Sequence, residues 1–383
     1  MRVLHVLAYS PPFRGGFVGQ LVALGEALRA RGGVLCLAFP RQRPWLTELA
    51  EVATVLEIRQ IWHPHRTNLR RRVLEICGTH NIELINLHYS FDLALSLFRP
   101  LSARPLPVVY HWHNPPRALR SDVLPARHPA ARVVQAVHRR LGALAAHLGE
   151  QVITRHVAVS GEIRDLLIEH GWTTPEKILR LPNPLGIVPP AKTPAPDSQS
   201  SSQIVIGSVA NFLPQKDHDT LLRAFQLLLR QHTNCRLLLV GDGPRRAAAA
   251  SLADALGIRE RVEFLGHVHD PMTVYPRFDI LAHSTHYEGQ GMVLLEAMAH
   301  GLPVVATKLP SIQETITGEN EGLLVPRRDP ESLATALAQL VSDASLRARM
   351  GAAGRARVLR DFRVGDWVDE MIALYDGILG RPG

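Results

Sequence analysis

Residues 284–305 read STHYEGQGMVLLEAMAHGLPVV, and the fold prediction starts from this stretch. It follows the apolar run 280–282, which predicts a strand, and it passes through a polar loop into a helix that begins near Gly291. The segment 301–305 ends that helix with a glycine and starts a second strand. Glycines on both sides of Gln290 remove side chains where the backbone must approach another group closely. Together these features predict an α/β unit with a binding site at a strand end.

The same alternation of strands and helices extends over most of the chain in both directions. Strands that read as continuous apolar runs indicate parallel sheets covered by helices on both faces. In the first half the expected strands are 3–8, 33–38, 84–87, 107–110 and 156–159, and the expected helices are 19–30 and 69–79. In the second half the expected strands are 204–209, 236–240, 262–265, 280–282, 304–306 and 323–325, and the expected helices are 219–231, 245–256 and 291–300.

These elements predict an α/β chain with two doubly wound, Rossmann-like domains. The first domain is expected over residues 1–187 and the second over 204–361. Between them, residues 188–203 are rich in Pro, Ser and Gln and are expected to form a linker. The last segment, 362–383, predicts an amphipathic helix that crosses back to the first domain. Ligands of such sheets bind at the carboxyl ends of the strands, so the expected site faces both domains across a cleft.

Composition limits the class of protein. The chain has 383 residues, of which 46% are hydrophobic and 20% charged, which is typical of a globular protein. No apolar run approaches the roughly 18 residues that a membrane-spanning helix needs. Cys36, Cys77 and Cys235 lie far apart and predict neither a disulfide framework nor a metal cluster. The protein is therefore expected in the cytoplasm, and peripheral attachment to the inner face of the membrane is compatible with that location.

The positive charge is concentrated in the first half of the chain. Residues 1–185 contain 23 Lys and Arg against 13 Asp and Glu, whereas residues 186–383 contain 20 against 22. The basic half predicts an anionic partner such as a membrane surface or a phosphorylated acceptor, although a genome that prefers arginine explains it equally well. Residues 117–147 carry six arginines and read either as a basic amphipathic helix at a membrane or as a solvated helix. No nucleic-acid-binding module is recognisable.

Two glutamates flank the glycine loop, with Glu288 in the loop and Glu296 about two turns into the helix. A helix N-terminus offers unpaired N–H groups and the positive end of a dipole, which suits a phosphate. Carboxylates on either side can accept hydrogen bonds from sugar hydroxyls. Taken alone, each glutamate is more simply explained as a solvated surface residue. With the glycines and the flanking strands, the pattern favours a site for a sugar joined to a phosphate.

The stretch EGQGMVLLE, Glu288 to Glu296, resembles the Glu-x7-Glu signature of the retaining glycosyltransferases of family 4, and EAMAHGLPVVAT extends the resemblance. SVANFLPQKDHDTLLRAF (208–225) and VEFLGHV (262–268) are also similar to family segments. The resemblance implies a GT-B fold and transfer of a sugar, hexosyl in type, from a nucleoside-diphosphate sugar with retention of anomeric configuration. It further implies cell-surface glycan, lipopolysaccharide or glycolipid biosynthesis, and no required metal or other cofactor.

The resemblance also implies roles for individual residues. Lys216 matches a family lysine that stabilises the leaving diphosphate, together with the backbone of Gln290, Gly291 and Met292. Glu288 is expected to orient the sugar and Glu296 to hold the ribose hydroxyls. Further donor contacts are implied at Gly16, Asn211 and His267, and His113 is expected near the anomeric centre. Asn211 departs from the family, which usually has an arginine there, so this position brings no charge to the diphosphate.

The spacing of His111 and His113 raises the question of a metal. Residues i and i+2 of a strand point to the same face, so both imidazoles face one side. No third ligand stands nearby in a recognisable sequence pattern, and no metal is expected. Ser160 and Asn183 match family segments that are expected to be structural.

Two other functions stay open on the same fold. A GT-B sugar-nucleotide epimerase or phosphorylase is another class of enzyme with this architecture. A non-catalytic nucleotide-sugar-binding protein is a second alternative, suggested by the missing charge at Asn211. Release of nucleoside diphosphate that depends on an acceptor discriminates the transferase from both.

Overall fold

The computed structural model describes residues 1–8, 15–59, 66–89, 106–116, 144, 146–190 and 203–381. Most of the expected linker at 188–203 and most of the arginine-rich stretch at 117–147 therefore lie outside the described residues. The chain divides into two compact units. The first comprises Met1–Pro12, Phe17–Pro184 and Val364–Gly383, and the second comprises Phe13–Gly16 and Leu185–Arg363.

The first unit contains a seven-stranded sheet whose neighbouring strands are all parallel. Its order is β3-β2-β1-β4-β5-β6-β7. The strands are β1 (Arg2–Leu7), β2 (Val34–Phe39), β3 (Thr54–Glu57), β4 (Leu84–His88), β5 (Val108–Trp112), β6 (Arg155–Ala158) and β7 (Ile178–Arg180). The sequence prediction omitted the edge strands β3 and β7, because they are short and lack the continuous apolar run of a central strand.

The second unit contains a six-stranded parallel sheet of order β10-β9-β8-β11-β12-β13. Its strands are β8 (Ile204–Val209), β9 (Cys235–Val240), β10 (Val262–Gly266), β11 (Ile280–His283), β12 (Val304–Thr307) and β13 (Leu323–Val325). All six were expected from their apolar runs, to within one residue at each end. Two parallel sheets of this kind make the protein an α/β chain, as the sequence predicted.

Helices cover both sheets. In the first unit they are α1 (Phe17–Ala30), α2 (Leu46–Ala50), α3 (Arg66–Thr79), a helical segment at 146–152, α4 (Gly161–Glu169) and α11 (Val364–Leu379). In the second unit they are α5 (His218–Leu229), α6 (Arg246–Ala255), α7 (Met292–Ala299), α8 (Pro310–Thr315), α9 (Pro330–Ser342) and α10 (Ala344–Asp361).

Side-chain oxygens fix the starts of several of these helices. Ser160 accepts a hydrogen bond from the backbone N–H of Ile163 at the start of α4. Asp329 and Asp343 accept in the same way at the starts of α9 and α10. Each cap satisfies an N–H group that has no partner within the helix. Ser160 thus has the structural role that the sequence predicted.

Alternate residues of each central strand pack into different cores. On β1, Leu4 and Val6 belong to one apolar cluster, whereas Val3 and Leu7 belong to another that includes residues of α1 and α11. The period of two explains why both faces of the sheet are buried. Trp367 and Met371 of α11 are buried in that second cluster. The C-terminal helix is therefore part of the first unit although it ends the chain.

Each sheet has one place where the strand order reverses. In the first sheet it lies between β1 and β4, and in the second between β8 and β11. Crevices at such switch points are where doubly wound sheets bind ligands. His88 is the last residue of β4, and His283 is the last residue of β11. Within the described part of the chain, no helix is long and apolar enough to cross a membrane.

Candidate functional site

Two loops at the switch point of the second sheet are joined by hydrogen bonds. The Ser284 hydroxyl donates to the Asp217 carbonyl at 2.9 Å, and the Thr285 hydroxyl donates to the Gln215 carbonyl at 2.9 Å. The backbone N–H of His286 donates to the same Gln215 carbonyl at 2.7 Å. Asp217 adopts a left-handed conformation and caps α5 through Thr220. Lys216 lies between Gln215 and Asp217 in the sequence, so this network holds Lys216 against the loop that follows β11.

Lys216, Glu288 and His283 form a charged cluster at this point. The Lys216 ammonium donates to Glu288 Oε2, and His283 Nε2 lies 3.1 Å from the same oxygen. Burial pushes the pKa of Glu288 upward, but the Lys216 charge and the His283 hydrogen bond outweigh it and hold that pKa well below its usual range. Glu288 is therefore ionised at neutral pH. The side chains of Lys216 and Glu288 are 20% and 15% exposed, so a ligand can reach both.

The helix α7 begins beside this cluster without a side-chain cap. Its cap position is Gly291, whose φ of 84° favours glycine. The hydroxyl of Ser311 donates to the carbonyl of Glu288, and that of Thr315 donates to the carbonyl of Gln290. These two bonds satisfy the loop carbonyls. The first N–H groups of a helix lack a partner one turn earlier, and in this helix the Leu294 N–H donates instead to the Gly291 carbonyl at 2.9 Å. An anion bound there would meet the positive end of the helix dipole.

Glu296 lies on the buried side of α7. The Tyr275 hydroxyl donates to Glu296 Oε2 at 2.5 Å, and the Tyr275 ring stacks on His300 with centroids 5.0 Å apart. Burial raises the pKa of Glu296 to about 7, against the opposing effect of the Tyr275 hydrogen bond. Gly16 groups with this unit, and a methyl group on its Cα would lie 3.2 Å from Glu296 Oε1. A side chain at this position would therefore crowd that carboxylate oxygen.

The carboxyl ends of β8, β9 and β10 approach one another closely, on the side of the switch point away from β11. Gly241 has a φ of 137°, and a Cβ there would lie 2.1 Å from the carbonyl oxygen of Ala210. The Gly241 N–H donates to the carbonyl of Gly266 at 2.8 Å. Asn211 and His267 immediately follow these contacts on their own strands, and His267 is exposed. Both residues thus lie at the carboxyl ends of strands, and their contact with a donor stays a prediction.

His113 belongs to the first unit and lies in a cluster of imidazoles. Its Nε2 is 2.9 Å from Nδ1 of His88, and its ring stacks on those of His111 and Tyr89, with centroids 4.7 and 4.4 Å away. Burial lowers the pKa of His113 and that of His5 to about 3, and it lowers those of His88 and His111 as well. These rings are therefore neutral at physiological pH.

The structure places a third imidazole beside His111 and His113 that no sequence pattern had indicated, whereas the expectation that no metal binds stays a prediction. His88, His111 and His113 each offer a ring nitrogen, and these nitrogens lie within 4.8 Å of one another. His88 was missed because it is 23 residues from His111 in sequence. The parallel register of β4 and β5 places it directly opposite His111.

The second unit thus brings together Lys216, Glu288, Gly291 and their neighbours Gln290 and Met292, with Glu296 one helix turn further on. Sequence reasoning missed His283 and Tyr275, which contact the two glutamates. A signal for His283 was available, because a polar residue at the carboxyl end of a central strand is unusual in a continuous apolar run. Tyr275 lies in a short 3₁₀ turn between β10 and β11, where no sequence pattern pointed to the site.

Comparisons with known proteins show that the chain is similar to glycosyltransferases. Residues 193–357 match the family model of group 1 glycosyl transferases. The chain is 25% identical, over 98% of both sequences, to the lipopolysaccharide core biosynthesis glycosyltransferase LpsD of Rhizobium meliloti. It is 26% identical, over 90% of both, to a GDP-mannose-dependent alpha-(1-6)-phosphatidylinositol monomannoside mannosyltransferase of Mycolicibacterium smegmatis.

A solved structure shares the fold over nearly the whole chain. Anabaena Alr3699/HepE, determined in complex with UDP and glucose, superposes with a TM-score of 0.75 at 19% identity, covering 98% of this chain and 99% of that one. The likeness shows the two-unit α/β architecture of GT-B proteins. The domain match and the glycosyltransferase relatives together support a transferase enzyme.

Proposed function

We propose that the protein is a retaining glycosyltransferase of family 4 that moves a hexosyl group from a nucleoside-diphosphate sugar to an acceptor. The observation that carries the proposal is the cluster of Lys216, Glu288 and His283 beside the uncapped start of α7. It combines a cation and a helix N-terminus, which suit a diphosphate, with a carboxylate that suits sugar hydroxyls. The Glu-x7-Glu spacing of Glu288 and Glu296 supports the same assignment.

The leaving diphosphate is the group whose charge grows in the transition state, so preorganised positive charge near it accelerates transfer. Lys216 supplies an ammonium, and the backbone of Gln290, Gly291 and Met292 supplies the helix terminus. The Lys216 ammonium pairs with Glu288 in the structure, and the charge of a diphosphate competes for it. We propose that these groups neutralise the leaving charge without a metal, as the family resemblance implies. Asn211 adds a neutral hydrogen-bond donor at the same strand end.

Glu288 and Glu296 have different environments and therefore different roles. Glu288 is held ionised by Lys216 and His283, so it accepts hydrogen bonds from the hydroxyls of the transferring sugar. Glu296 is buried and held by Tyr275, and its carboxylate holds the ribose hydroxyls. Gly16 keeps the approach to Glu296 free of a side chain, and the backbone at His267 lies on the base side. In the first unit, His113 is assigned a position near the anomeric centre.

The acceptor is proposed to be a cell-surface glycan precursor, a lipopolysaccharide core or a glycolipid. The names of the two relatives support this class, since one concerns lipopolysaccharide core and the other phosphatidylinositol mannosides. The excess of basic residues over 1–185 supports contact with an anionic membrane surface from the cytoplasmic side. Vesicle flotation with and without anionic phospholipid tests this contact. Recovery of the protein with neither vesicle type would contradict it.

A transfer assay tests the proposed reaction. UDP-glucose and GDP-mannose are the donor probes, and lipopolysaccharide core and phosphatidylinositol are the acceptor probes. We expect nucleoside diphosphate release only when both are present, and an anomeric proton coupling in the product that matches the donor configuration. An inverted product would overturn retention. Donor conversion to an epimer without acceptor would overturn transfer in favour of an epimerase, and donor binding with no reaction would favour a non-catalytic binding protein.

A further inference from the structure

Three histidines at the switch point of the first sheet form a cluster that the proposed reaction does not explain. This histidine triad consists of His88, the last residue of β4, His111, within β5, and His113, the first residue after β5. Residues two apart on a strand share a face, so His111 and His113 point to the same side. The register of β4 and β5 adds His88 from the neighbouring strand. One nitrogen from each ring lies within 4.8 Å of the other two.

His111 is the least satisfied member of the triad. Its side chain is 1% exposed, and among the described residues neither ring nitrogen has a hydrogen-bond partner. A neutral imidazole has one N–H donor and one acceptor lone pair, and each buried polar atom without a partner costs about 1–3 kcal/mol. The transfer chemistry proposed above uses His113 but assigns no role to His111. A ligand that accepts the lone pair of His111 would account for its position.

We propose that His88, His111 and His113 bind a divalent transition-metal ion, with Zn²⁺ as the ion best suited to the three nitrogens. Imidazole nitrogen is a ligand that zinc, copper and nickel prefer over the harder cations. Three histidines form the donor set of an open zinc site, in which the fourth position holds water or another oxygen. On binding, the hydrogen bond of 2.9 Å between His88 Nδ1 and His113 Nε2 is exchanged for two bonds to the metal.

Residues around the triad form hydrogen bonds to its rings, as residues that surround the ligands of a metal site commonly do. His88 Nε2 lies 3.1 Å from Nδ1 of His5, and His5 Nε2 lies 2.8 Å from the hydroxyl of Tyr375. The Asn86 amide donates to the same hydroxyl at 2.8 Å. With His88 bound through Nδ1, its Nε2–H donates to His5, which donates in turn to Tyr375. Hydrogen bonds of this kind fix the ring orientation and raise the basicity of a metal ligand.

A route to the triad exists through the pocket of the first unit. His88, His111 and His113 line this pocket together with Gln20 and Asn183. His113 is partly exposed, whereas His88 and His111 are buried. His113 is thus the most exposed member of the triad, and the rest of the pocket is lined mainly by apolar side chains such as Leu7, Phe17 and Trp367. All three ligands belong to the first unit. Because the proposed function also assigns a role to His113, a bound ion would engage that residue, but binding of the ion itself is tested without the transfer reaction.

Metal binding to the intact protein tests the proposal without any nucleotide sugar. The protein is stripped with a chelator and titrated with Zn²⁺ alone, in the presence of nitrilotriacetate to suppress weak binding by surface histidines. We expect one Zn²⁺ per chain that competes with the chelator. Titration with Co²⁺ should give the intense visible absorption bands of a tetrahedral nitrogen site. A wild-type protein that takes up no Zn²⁺ under competition and shows no such Co²⁺ bands would overturn the proposal.

Two variants and a control locate the site. His111→Asn removes a buried ligand, and His113→Asn removes one that is partly exposed and less critical to folding. We expect Zn²⁺ affinity to fall by roughly 100-fold or more in each, since loss even of outer-layer partners costs 10–100-fold. His170→Asn, at an exposed position of the same unit, should bind as the wild type does. Unchanged stoichiometry and affinity in His113→Asn, with a folded circular dichroism spectrum, would place the metal elsewhere and contradict the triad.

Discussion

His88 and His283 occupy the same position in the two sheets, yet they contact different groups. Each is the last residue of the strand on one side of its switch point. His283 contacts the carboxylate of Glu288, which Lys216 also binds, whereas His88 contacts the imidazoles of His5 and His113. The second unit therefore has formal charges at its switch point, and the first unit has neutral rings. The difference shows that strand topology sets the place of a site, while the loops and the neighbouring strands set its chemistry.

The largest effect is expected from removing the cation of the charged cluster. Lys216→Ala should lower turnover by roughly 10²–10³, because it removes stabilisation of the leaving diphosphate. Steady-state kinetics with a saturating donor measure this. Lys308→Ala is the matched control, since Lys308 is exposed in the same unit, and its turnover should equal that of the wild type. Equal rates for Lys216→Ala and Lys308→Ala would remove Lys216 from the mechanism.

The neutral cluster of the first unit is expected to affect acid stability. Burial lowers the pKa of His5 from 6.5 to about 3, so the folded state keeps the ring neutral while the unfolded state gains a proton below pH 6.5. The stability present above pH 6.5 is therefore lost as the pH falls, at about 1.4 kcal/mol per pH unit for one proton. His5→Asn should make the decline in unfolding free energy between pH 6.5 and 4.5 shallower by about that slope. Urea titrations across this range measure it.

The control for this prediction is His170→Asn, which changes an exposed histidine of the same unit. Its unfolding free energy should fall with pH as steeply as that of the wild type. If the unfolding free energies of His5→Asn and His170→Asn fell equally steeply with pH, the claim that the folded first unit keeps His5 neutral would be contradicted.

A smaller effect is expected from the turn that starts α7. Gly291→Ala places a side chain at a φ of 84°, and its Cβ would lie 3.0 Å from Leu294 Cδ1. The left-handed conformation costs an alanine about 1–2 kcal/mol, so the unfolding free energy should drop by that amount. Gly318→Ala, where a Cβ meets nothing within 4 Å, should leave stability nearly unchanged. If Gly291→Ala and Gly318→Ala were equally stable, the left-handed conformation at position 291 would carry no cost for a residue with a side chain.

The smallest effect concerns the protonation of Glu296. Burial raises the pKa of Glu296 to about 7, so the fraction ionised grows from pH 6 to pH 8 by roughly tenfold. If only the carboxylate holds the ribose hydroxyls, the affinity for a nucleotide sugar should rise by the same factor, about 1.4 kcal/mol. Calorimetric titration of UDP-glucose or GDP-mannose, whichever binds, measures this rise. Glu296→Gln cannot titrate, and its affinity should not depend on pH. If the affinity rose equally in the wild type and in Glu296→Gln, the pH dependence would belong to another group.

The sequence predicted the two doubly wound units and the loop and helix that position Glu288, because these depend on local patterns, whereas His283 and Tyr275 were missed. The strand β11, the glycine loop and the helix α7 lie within 21 consecutive residues, Asp279–Ala299, so spacing alone places Glu288 near a helix start. The first-unit triad depends on which strand lies beside β5, and one sequence does not give that register. The sequence did not predict the edge strands β3 and β7 for a related reason. Their pairing partners, rather than their own apolar content, define them as strands.

The central claim is that the second-unit cluster holds the diphosphate of a nucleotide sugar. Amide hydrogen exchange, with and without the nucleotide sugar that binds, tests it most directly because exchange reports which backbone groups become protected. The account predicts slower exchange over residues 212–217 and 286–293, at the Lys216 loop and the start of α7. A bound nucleotide sugar that leaves exchange in both segments unchanged would contradict it.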